Sequence, residues 1–149
     1  MSNEIFLIDT NILVYAYDST EKQKQQKALQ ILELCFGQRT PFAVCLQNIS
    51  EFFFVVTNKI QHPIEESTAE ILVKDFLNFS PLIKLQYNQT TLLKAISLSK
   101  ECKIDYWDAL IAATMIENNF FSIYTENVID FRKVSAIKTI NPFTNSLQF

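Results

Sequence analysis

The chain is poor in the residues on which several common protein designs depend. It has one glycine and four prolines among 149 residues, which argues against a β-rich fold with many tight turns. Its single histidine, His62, stands apart from three widely spaced cysteines, and no CxxC pair occurs. The sequence therefore favours neither a zinc site nor covalent catalysis with a histidine base.

Long apolar runs are also missing. None approaches the roughly 20 residues that a membrane-spanning helix needs. The N-terminus passes directly into a charged residue and a short apolar run, which is not the pattern of a signal peptide. Three unclustered cysteines are typical of reduced thiols. We therefore expect a cytoplasmic protein that does not enter a membrane.

Positive charge is not in excess either. The formal net charge is −3, so the chain does not have the bulk positive charge by which many proteins hold nucleic acid. A nuclease remains compatible with this charge, because bound divalent metal offsets clustered carboxylates locally. The hydrophobic fraction of 48% predicts a folded domain with a substantial core.

Short apolar segments alternate with helix-like segments along the chain. Strands are predicted at 5–8, 42–46, 82–85, 122–125 and 136–140. A first helix is predicted to begin at Asn11. A second is predicted to be capped by Ser19 and Thr20 and to run to about Phe36. Further helices are predicted at 48–59, 64–79, 88–102 and 105–118. This alternation predicts an α/β fold with a parallel twisted sheet of about five short strands and helices on both faces. No linker or repeat is visible, so we expect one domain over 1–149. The apolar run at 52–56 predicts a helix centre that is buried all round.

Acidic residues fall where the predicted strands end or the following helices begin. They are Asp9 after the first strand, Glu51 after the second, Asp105 and Asp108 before the fourth, and Glu126 and Asp130, with Asn127 between them, after the fourth. In open parallel sheets, ligand sites form beyond the carboxyl ends of the strands. Carboxylates that converge there repel one another unless a cation or a proton intervenes. Mg²⁺ and Mn²⁺ prefer such oxygen ligands, and they can activate water for attack on a phosphoryl group.

Some of these acids also have a purely structural interpretation. The segments 48–51 and 105–108 fit helix-capping boxes, so Glu51 and Asp108 are explained as well by capping as by a site. Asp9 is different, because a carboxylate that follows a buried strand is costly without a partner. The adjacent Thr10 has two compatible roles, as a helix cap or as a hydroxyl that orients Asp9.

Five segments, in order along nearly the whole chain, resemble PIN-domain proteins, and most of all the VapC-type ribonuclease toxins. They are FLIDTNILVYAYD, QNISEFFFVVTNKI, YWDALIAATMIENN, IYTENVIDF and INPF. The resemblance implies a parallel sheet with helices on both faces. It also implies a metal-dependent endoribonuclease that uses Mg²⁺ or Mn²⁺, acts on RNA, is usually a homodimer, and is inhibited by an antitoxin encoded beside it.

The same resemblance implies roles for individual residues. Asp9, Glu51 and Asp108 match the three main acidic positions, which are catalytic and hold the metal. Thr10 and Asn11 match the polar pair after the first acid, and we expect them to orient its carboxylate.

The fourth acidic position departs from the family pattern. Many relatives have an aspartate directly after the residue that Glu126 matches, and here Asn127 stands there, with Asp130 three residues later. Some relatives carry a similar N-x-x-D-F arrangement. Asn127 offers metal or water a carbonyl oxygen but no charge, which weakens the expectation of a second metal.

Basic residues near these positions are candidates for phosphate contact. They are Lys59, Arg132 and Lys133, for each of which a solvated surface role is an equal alternative. The antitoxins of such toxins often lay an apolar helix along the toxin and place a basic side chain in the acidic site. We expect part of the segment 52–54, Tyr15 and Tyr17 to lie at that groove or at a dimer interface.

Two other functions compete with the nuclease. A PIN-like domain with a weakened fourth position could bind RNA or a protein without cutting. A phosphoryl-transfer protein of the receiver or haloacid-dehalogenase type is the other alternative. It is disfavoured because the phosphatase pattern needs an aspartate where Asn11 stands, and the receiver pattern needs one at the end of the third strand, where the chain reads Leu85, Gln86 and Tyr87.

Overall fold

The computed structural model describes residues 4–144, which form one layered α/β unit. Its elements in chain order are β1 (Phe6–Ile8), α1 (Thr10–Tyr15), α2 (Lys22–Phe36), β2 (Phe42–Cys45), α3 (Leu46–Asn58), α4 (Glu66–Asn78), β3 (Ile83–Leu85), α5 (Gln89–Cys102), α6 (Tyr106–Glu117), β4 (Ser122–Tyr124), α7 (Val128–Arg132) and β5 (Lys138–Ile140). All strand pairs are parallel, and the strand order is β3-β2-β1-β4-β5. The predicted fold class is confirmed.

The central strand β1 is buried on both faces, which explains its unbroken apolar sequence. Successive side chains of a strand point to opposite faces. Phe6 and Ile8 accordingly join the core beneath α1, α2, α3 and α4, whereas Leu7 joins the core beneath α5 and α6. Two apolar layers therefore fix β1 from both sides, and they fix the position of the residue that follows it.

The predicted strands are all present, and their ends differ only slightly from the prediction. The largest difference is in β5, which was expected from Ala136 and begins at Lys138. Helix α7 was not predicted, because its five residues are too few to show a periodic pattern. Between residues 4 and 144, the structure contains no helix with the length and apolar character needed to cross a membrane.

Two local predictions are wrong. Helix α2 is not capped by Ser19 or Thr20: it begins at Lys22, and the Thr20 hydroxyl binds Asp18 instead. The centre of α3 is not buried all round either, since Phe52 is fully buried and Phe54 is 54% exposed. An apolar run of that length does not show which of its side chains faces the sheet.

Candidate active site

Asp9 is the first residue after the central strand, and the fold holds it in a buried position at the sheet edge. Its backbone N–H donates to the carbonyl of Tyr124 (3.0 Å), which extends the pairing of β1 with β4 by one residue. Asp9 is also the N-cap of α1, and its Oδ1 accepts from the backbone N–H of Thr10 (2.8 Å). The residue is only 5% exposed. A strand end and a helix start thus fix one carboxylate.

Three side chains also donate to Asp9. Thr125 Oγ1 donates to Oδ2 (2.7 Å), Asn48 Nδ2 donates to Oδ1 (3.2 Å), and Asn11 Nδ2 makes a longer contact with Oδ2 (3.4 Å). All of these donors are uncharged. Burial raises the pKa of Asp9, the hydrogen bonds from Thr125 and Thr10 oppose that rise, and the charge of Glu51 adds to it.

Sequence reasoning missed Asn48 because it placed the start of α3 too late. The helix begins at Leu46 with Cys45 as its N-cap, and Asn48 Oδ1 accepts from the backbone N–H of Cys45 (2.9 Å). Asn48 is fully buried, and its amide nitrogen is directed to Asp9 and to Thr10 Oγ1 (3.0 Å). The capping box therefore spans 45–48. The capping interpretation of Glu51 is wrong.

Thr125 was also missed as a site residue. It follows β4 directly, and β4 is the parallel neighbour of β1, so the register places Thr125 beside Asp9. Its hydroxyl also accepts from the backbone N–H of Asn127 (2.9 Å) and from Asn11 Nδ2 (3.3 Å). The expected adjacency of parallel strand ends was the signal that could have identified it.

Thr10 connects the first acid to the second. Its backbone N–H binds Asp9, while its hydroxyl donates to Glu51 Oε2 (3.1 Å). The other carboxylate oxygen of Glu51 accepts from Gln47 Nε2 (2.9 Å), one helical turn earlier on α3. Both roles expected for Thr10 are therefore wrong in detail: Asp9 is the cap of α1, and Thr10 orients Asp9 through its backbone, while its hydroxyl positions Glu51.

Asp108 lies in the first turn of α6 but does not cap that helix. Asp105 is the cap, and it accepts from the backbone N–H of Trp107 (2.9 Å). Asp108 Oδ2 instead accepts from Asn127 Nδ2 (2.6 Å). Asn127, the residue at the fourth acidic position, is therefore a hydrogen-bond partner of this acid.

The electrostatic surroundings of Asp108 oppose its ionisation. Burial is the largest cause, followed by a side-chain hydrogen bond with Asp130 and by the charges of Asp9, Asp130 and Asp105, and together they raise its pKa to about 8. Two carboxyl groups in a hydrogen bond must share a proton. The neighbouring acids thus disfavour the ionised form of Asp108 and add to the effect of its burial.

One cavity joins the three acids. It has a volume of about 460 Å³ and is lined by Asp9, Thr10, Asn11, Val14, Tyr15, Asp18, Glu51, Val55, Lys59, Ile60, Gln61, Asp108 and Asn127. Lys59 is thus placed beside the acids, as a phosphate contact requires. Arg132 and Lys133 are not part of this lining, and Lys133 Nζ instead contacts the carbonyl of Lys103 (3.2 Å) and Asp130 (3.9 Å).

Glu126 has charged and polar partners of its own. Lys24 Nζ lies 2.6 Å from one of its carboxylate oxygens, and the Tyr15 hydroxyl donates to the other (2.7 Å). The hydrogen bond with Glu126 is the main reason that the pKa of Lys24 is raised. The acid that directly follows Thr125 is therefore neutralised within the protein.

The residues fit a hard divalent cation in donor chemistry and in charge. The carboxylates of Asp9, Glu51 and Asp108 offer oxygen ligands. Burial, with a smaller contribution from neighbouring acids, raises the pKa values of Asp9 and Asp108, and a bound cation would favour their ionised forms. Within residues 4–144, however, no three acidic, cysteine or histidine side chains already form a group that could hold a metal ion. The three carboxylates thus line one cavity, but they do not form a closely spaced group of ligands.

Comparison with known proteins gives a family match and several similar structures. The model of the PIN domain matches residues 6–137. A toxin–antitoxin complex from Klebsiella pneumoniae is similar at 22% identity and a TM-score of 0.64, over 92% of this chain and 97% of that one. VapBC2 from Rickettsia felis, bound to a DNA fragment from its promoter, is similar at 21% identity and a TM-score of 0.64, over 92% and 98%.

A third structure is more distant in sequence. It is VapC20 from Mycobacterium tuberculosis, described as a sarcin-ricin loop cleaving toxin, at 10% identity and a TM-score of 0.64, over 84% of this chain and 92% of that one. Likenesses at these identities show a shared fold. Among proteins with curated descriptions, none matches the chain.

Proposed function

Because the chain belongs to the PIN-domain family, we propose that it is a metal-dependent endoribonuclease and the toxin of a type II toxin–antitoxin pair. The observation that carries the proposal is the buried carboxylate of Asp9, which shares one cavity with Glu51 and Asp108. The similar folds of toxins in toxin–antitoxin complexes support the second half of the proposal.

We assign the metal ligands to Asp9, Glu51 and Asp108, and the metal to Mg²⁺ or Mn²⁺. When bound, such an ion activates water and stabilises the charge that builds on a phosphoryl oxygen. The donors on Thr10, Asn11, Asn48 and Thr125 hold Asp9 in one orientation. We assign Asn127, which donates to Asp108, and Asp130, which forms a hydrogen bond with it, to positioning Asp108, and Lys59 to binding a phosphate of the RNA.

Purified protein and a defined RNA test this proposal directly. We expect cleavage with Mn²⁺ or Mg²⁺, none with a chelator, and a loss of at least about 100-fold in Asp9→Asn, because that change removes the buried charge. Glu101→Gln is the matched control, since it removes one negative charge from an exposed position on α5. Equal cleavage by wild type and Asp9→Asn, or cleavage that resists the chelator, would contradict the proposal.

A non-catalytic binding module is the second candidate, and two contacts favour it. The amide of Asn127 occupies Asp108 Oδ2 at 2.6 Å, and Glu126 is held by Lys24 at 2.6 Å. The first contact occupies one oxygen of Asp108, and the second neutralises the charge of Glu126. RNA binding without cleavage, together with no measurable Mn²⁺ binding, would establish this candidate.

The receiver alternative is excluded by topology. Receiver-type doubly wound sheets have the strand order 2-1-3-4-5, whereas this sheet has the order β3-β2-β1-β4-β5. The position two residues after Asp9 is Asn11, whose amide is engaged with Asp9 and Thr125, so no second aspartate is available there for phosphatase chemistry.

Among the residues expected at the antitoxin groove or at a dimer interface, burial excludes Phe52, whereas Phe54 is 54% exposed. Phe52 lies in the core and cannot contact a partner, and Tyr15 lines the acidic cavity. Tyr17 lines a separate apolar groove of about 480 Å³ between α2 and α4, together with Phe36 and Phe79. We assign the apolar helix of an antitoxin to this groove.

Two measurements test the assembly. Phe36→Ala should weaken co-purification of the protein encoded beside this one, because it removes an exposed wall of the groove. Unchanged co-purification would count against the groove. We also propose that the protein is a homodimer in the cytoplasm, and light scattering that shows a monomer would contradict the dimer.

A further inference from the structure

An ion pair beside the acidic cavity joins three distant parts of the chain. Lys24 Nζ lies 2.6 Å from Glu126 Oε2, which is the shortest separation among the ion pairs of residues 4–144, and each side chain is 34% exposed. The hydroxyl of Tyr15, which lines the cavity, donates to Glu126 Oε1 (2.7 Å) and accepts from Lys24 Nζ (3.3 Å). The three residues belong to α2, to the segment after β4 and to α1. We call them the ion-pair cluster.

Aromatic rings hold Lys24 in place. Its Nζ lies 4.8 Å from the centre of the Tyr15 ring and 5.8 Å from that of Phe143, and the two rings meet edge to face at 5.1 Å. A cation over the face of an aromatic ring is attracted to it. Ion pairs at the surface contribute little stability, partly because two flexible side chains must be held in one geometry. The rings and the Tyr15 hydroxyl already supply that order here, so the cluster differs from a solvated pair.

Glu126 stands between two residues that hold the acids. Thr125 Oγ1 donates to Asp9 Oδ2 (2.7 Å). Asn127 Nδ2 donates to Asp108 Oδ2 (2.6 Å). The backbone has only two soft torsions per residue, so a side chain that is fixed at 126 restricts the directions of both neighbours. The ion-pair cluster therefore bears on the acids, although its two charged members do not line the cavity.

The short helix α7 lacks the side-chain cap that its sequence offers. Asn127 is the N-cap of α7, a position where an asparagine side chain usually accepts from the first turn of the helix. It makes no such bond, and its amide donates to Asp108 instead. Helix α7 has five residues, too few for a stable helix without outside contacts. Glu126 directly precedes the N-cap, so the ion-pair cluster anchors the chain where α7 begins.

We propose that Lys24 and Glu126 are positioning residues of the candidate active site: their ion pair holds residue 126 so that Asn127 keeps its contact with Asp108. The catalytic part of this inference rests on the proposed nuclease function, and deepens it by adding two residues that act through another. Because neither charged residue lines the cavity, the pair acts on the geometry of the acids and not on the RNA. Breaking the pair should therefore lower kcat more than it changes KM.

The amide of Asn127 reports this positioning without any cleavage. Its side-chain signal is followed by nuclear magnetic resonance in protein treated with a chelator, and it is identified as the signal that Asn127→Asp lacks. We expect the signal to shift in Lys24→Met, because the bond to Asp108 loosens, and to stay in place in Lys24→Arg, whose guanidinium keeps the pair. Lys74→Met is the matched control, since it breaks the exposed pair of Lys74 with Glu70 on α4. An unshifted signal in Lys24→Met would overturn the proposal.

A double variant separates position from net charge. Lys24→Met alone adds net negative charge beside the acidic cavity, whereas Lys24→Met combined with Glu126→Met removes one charge of each sign. The double variant should still shift the Asn127 signal and lower the rate of cleavage, because the ion pair is absent while the net charge of −3 is unchanged. A double variant that behaves as wild type would show that charge alone matters, and the positioning role would be wrong.

Kinetics separate positioning from direct contact with RNA. In the active protein, Lys24→Met should lower kcat by about 10-fold, the lower end of the range for groups that orient metal ligands, with KM for RNA little changed. A raised KM with an unchanged kcat would mean that Lys24 binds the RNA itself, which contradicts the proposal. If wild type does not cleave RNA and the Asn127 signal still shifts as expected, the positioning role is supported and the nuclease is refuted.

Discussion

Replacing Asp108 with asparagine should stabilise the protein at mildly alkaline pH when no divalent ion is present. Asparagine has the shape of a protonated aspartate and does not ionise. Its oxygen can still accept from Asn127, and its amide can donate to Asp130 in place of the shared proton. Asp108→Asn thus retains the contacts of the neutral acid and removes its titration.

The sign and the size of the effect follow from the pKa of Asp108. The folded protein raises that pKa from 3.8 to about 8, so between these pH values the folded state holds a proton that the unfolded state has lost. Stability from this group is therefore present at low pH and declines as pH rises toward 8. A full shift of this size corresponds to roughly 5–6 kcal/mol. Solvent screening at a partly exposed group reduces it to on the order of 1–2 kcal/mol.

Urea unfolding with a chelator, at pH 5 and at pH 8, measures this difference. At pH 5 wild type and Asp108→Asn should have similar free energies of unfolding, and at pH 8 the variant should be more stable by about 1–2 kcal/mol. Glu101→Gln should not show the effect. Adding Mg²⁺ at about 100 times its Kd should stabilise wild type by about 2.7 kcal/mol and the variant by much less. A variant less stable than wild type at pH 8 would refute the reasoning.

Three other substitutions test neighbouring contacts. Thr125→Val should lower the free energy of unfolding by about 1–3 kcal/mol, because Asp9 loses its 2.7 Å hydrogen bond, and Thr125→Ser should restore it; equal stability of all three in urea would contradict this. Asn127→Asp should bind Mn²⁺ more tightly by calorimetry and be less stable under chelation, since a fourth carboxylate then faces Asp108; weaker Mn²⁺ binding would count against the site. Lys59→Gln should raise KM for RNA several-fold with kcat little changed, and an unchanged KM would remove Lys59 from the phosphate contacts.

The sheet and the first acid could be predicted because each depends on local sequence. A strand buried on both faces is continuously apolar, and Asp9 interrupts that pattern at the point where β1 ends. The rule that parallel strand ends meet at one edge then brings Glu51 and Asp108 to the same cavity. Their positions are therefore visible in the sequence, while their roles stay predictions.

The polar partners of these acids could not be predicted, because they depend on contacts between distant segments. Asn48 reaches Asp9 only because α3 begins at Leu46, two residues before the expected start, with Cys45 as its cap. Thr125 reaches it through the exact register of β4 against β1. Glu126 follows the same strand and yet is held by Lys24 from α2, a pairing that no local pattern contains.

A buried ion pair would both orient the carboxylate of Asp9 and neutralise its charge. The uncharged donors around Asp9 orient the carboxylate without neutralising it. Within the described chain, the fold fixes the direction of the carboxylate, and it supplies no fixed cation to that carboxylate. The Asp9 carboxylate is therefore left to keep a proton or to receive positive charge from a metal ion or from a basic side chain of a partner protein. If a metal ion and a partner's basic side chain both bind Asp9, they exclude each other, and adding divalent ions should then weaken the hold of that partner.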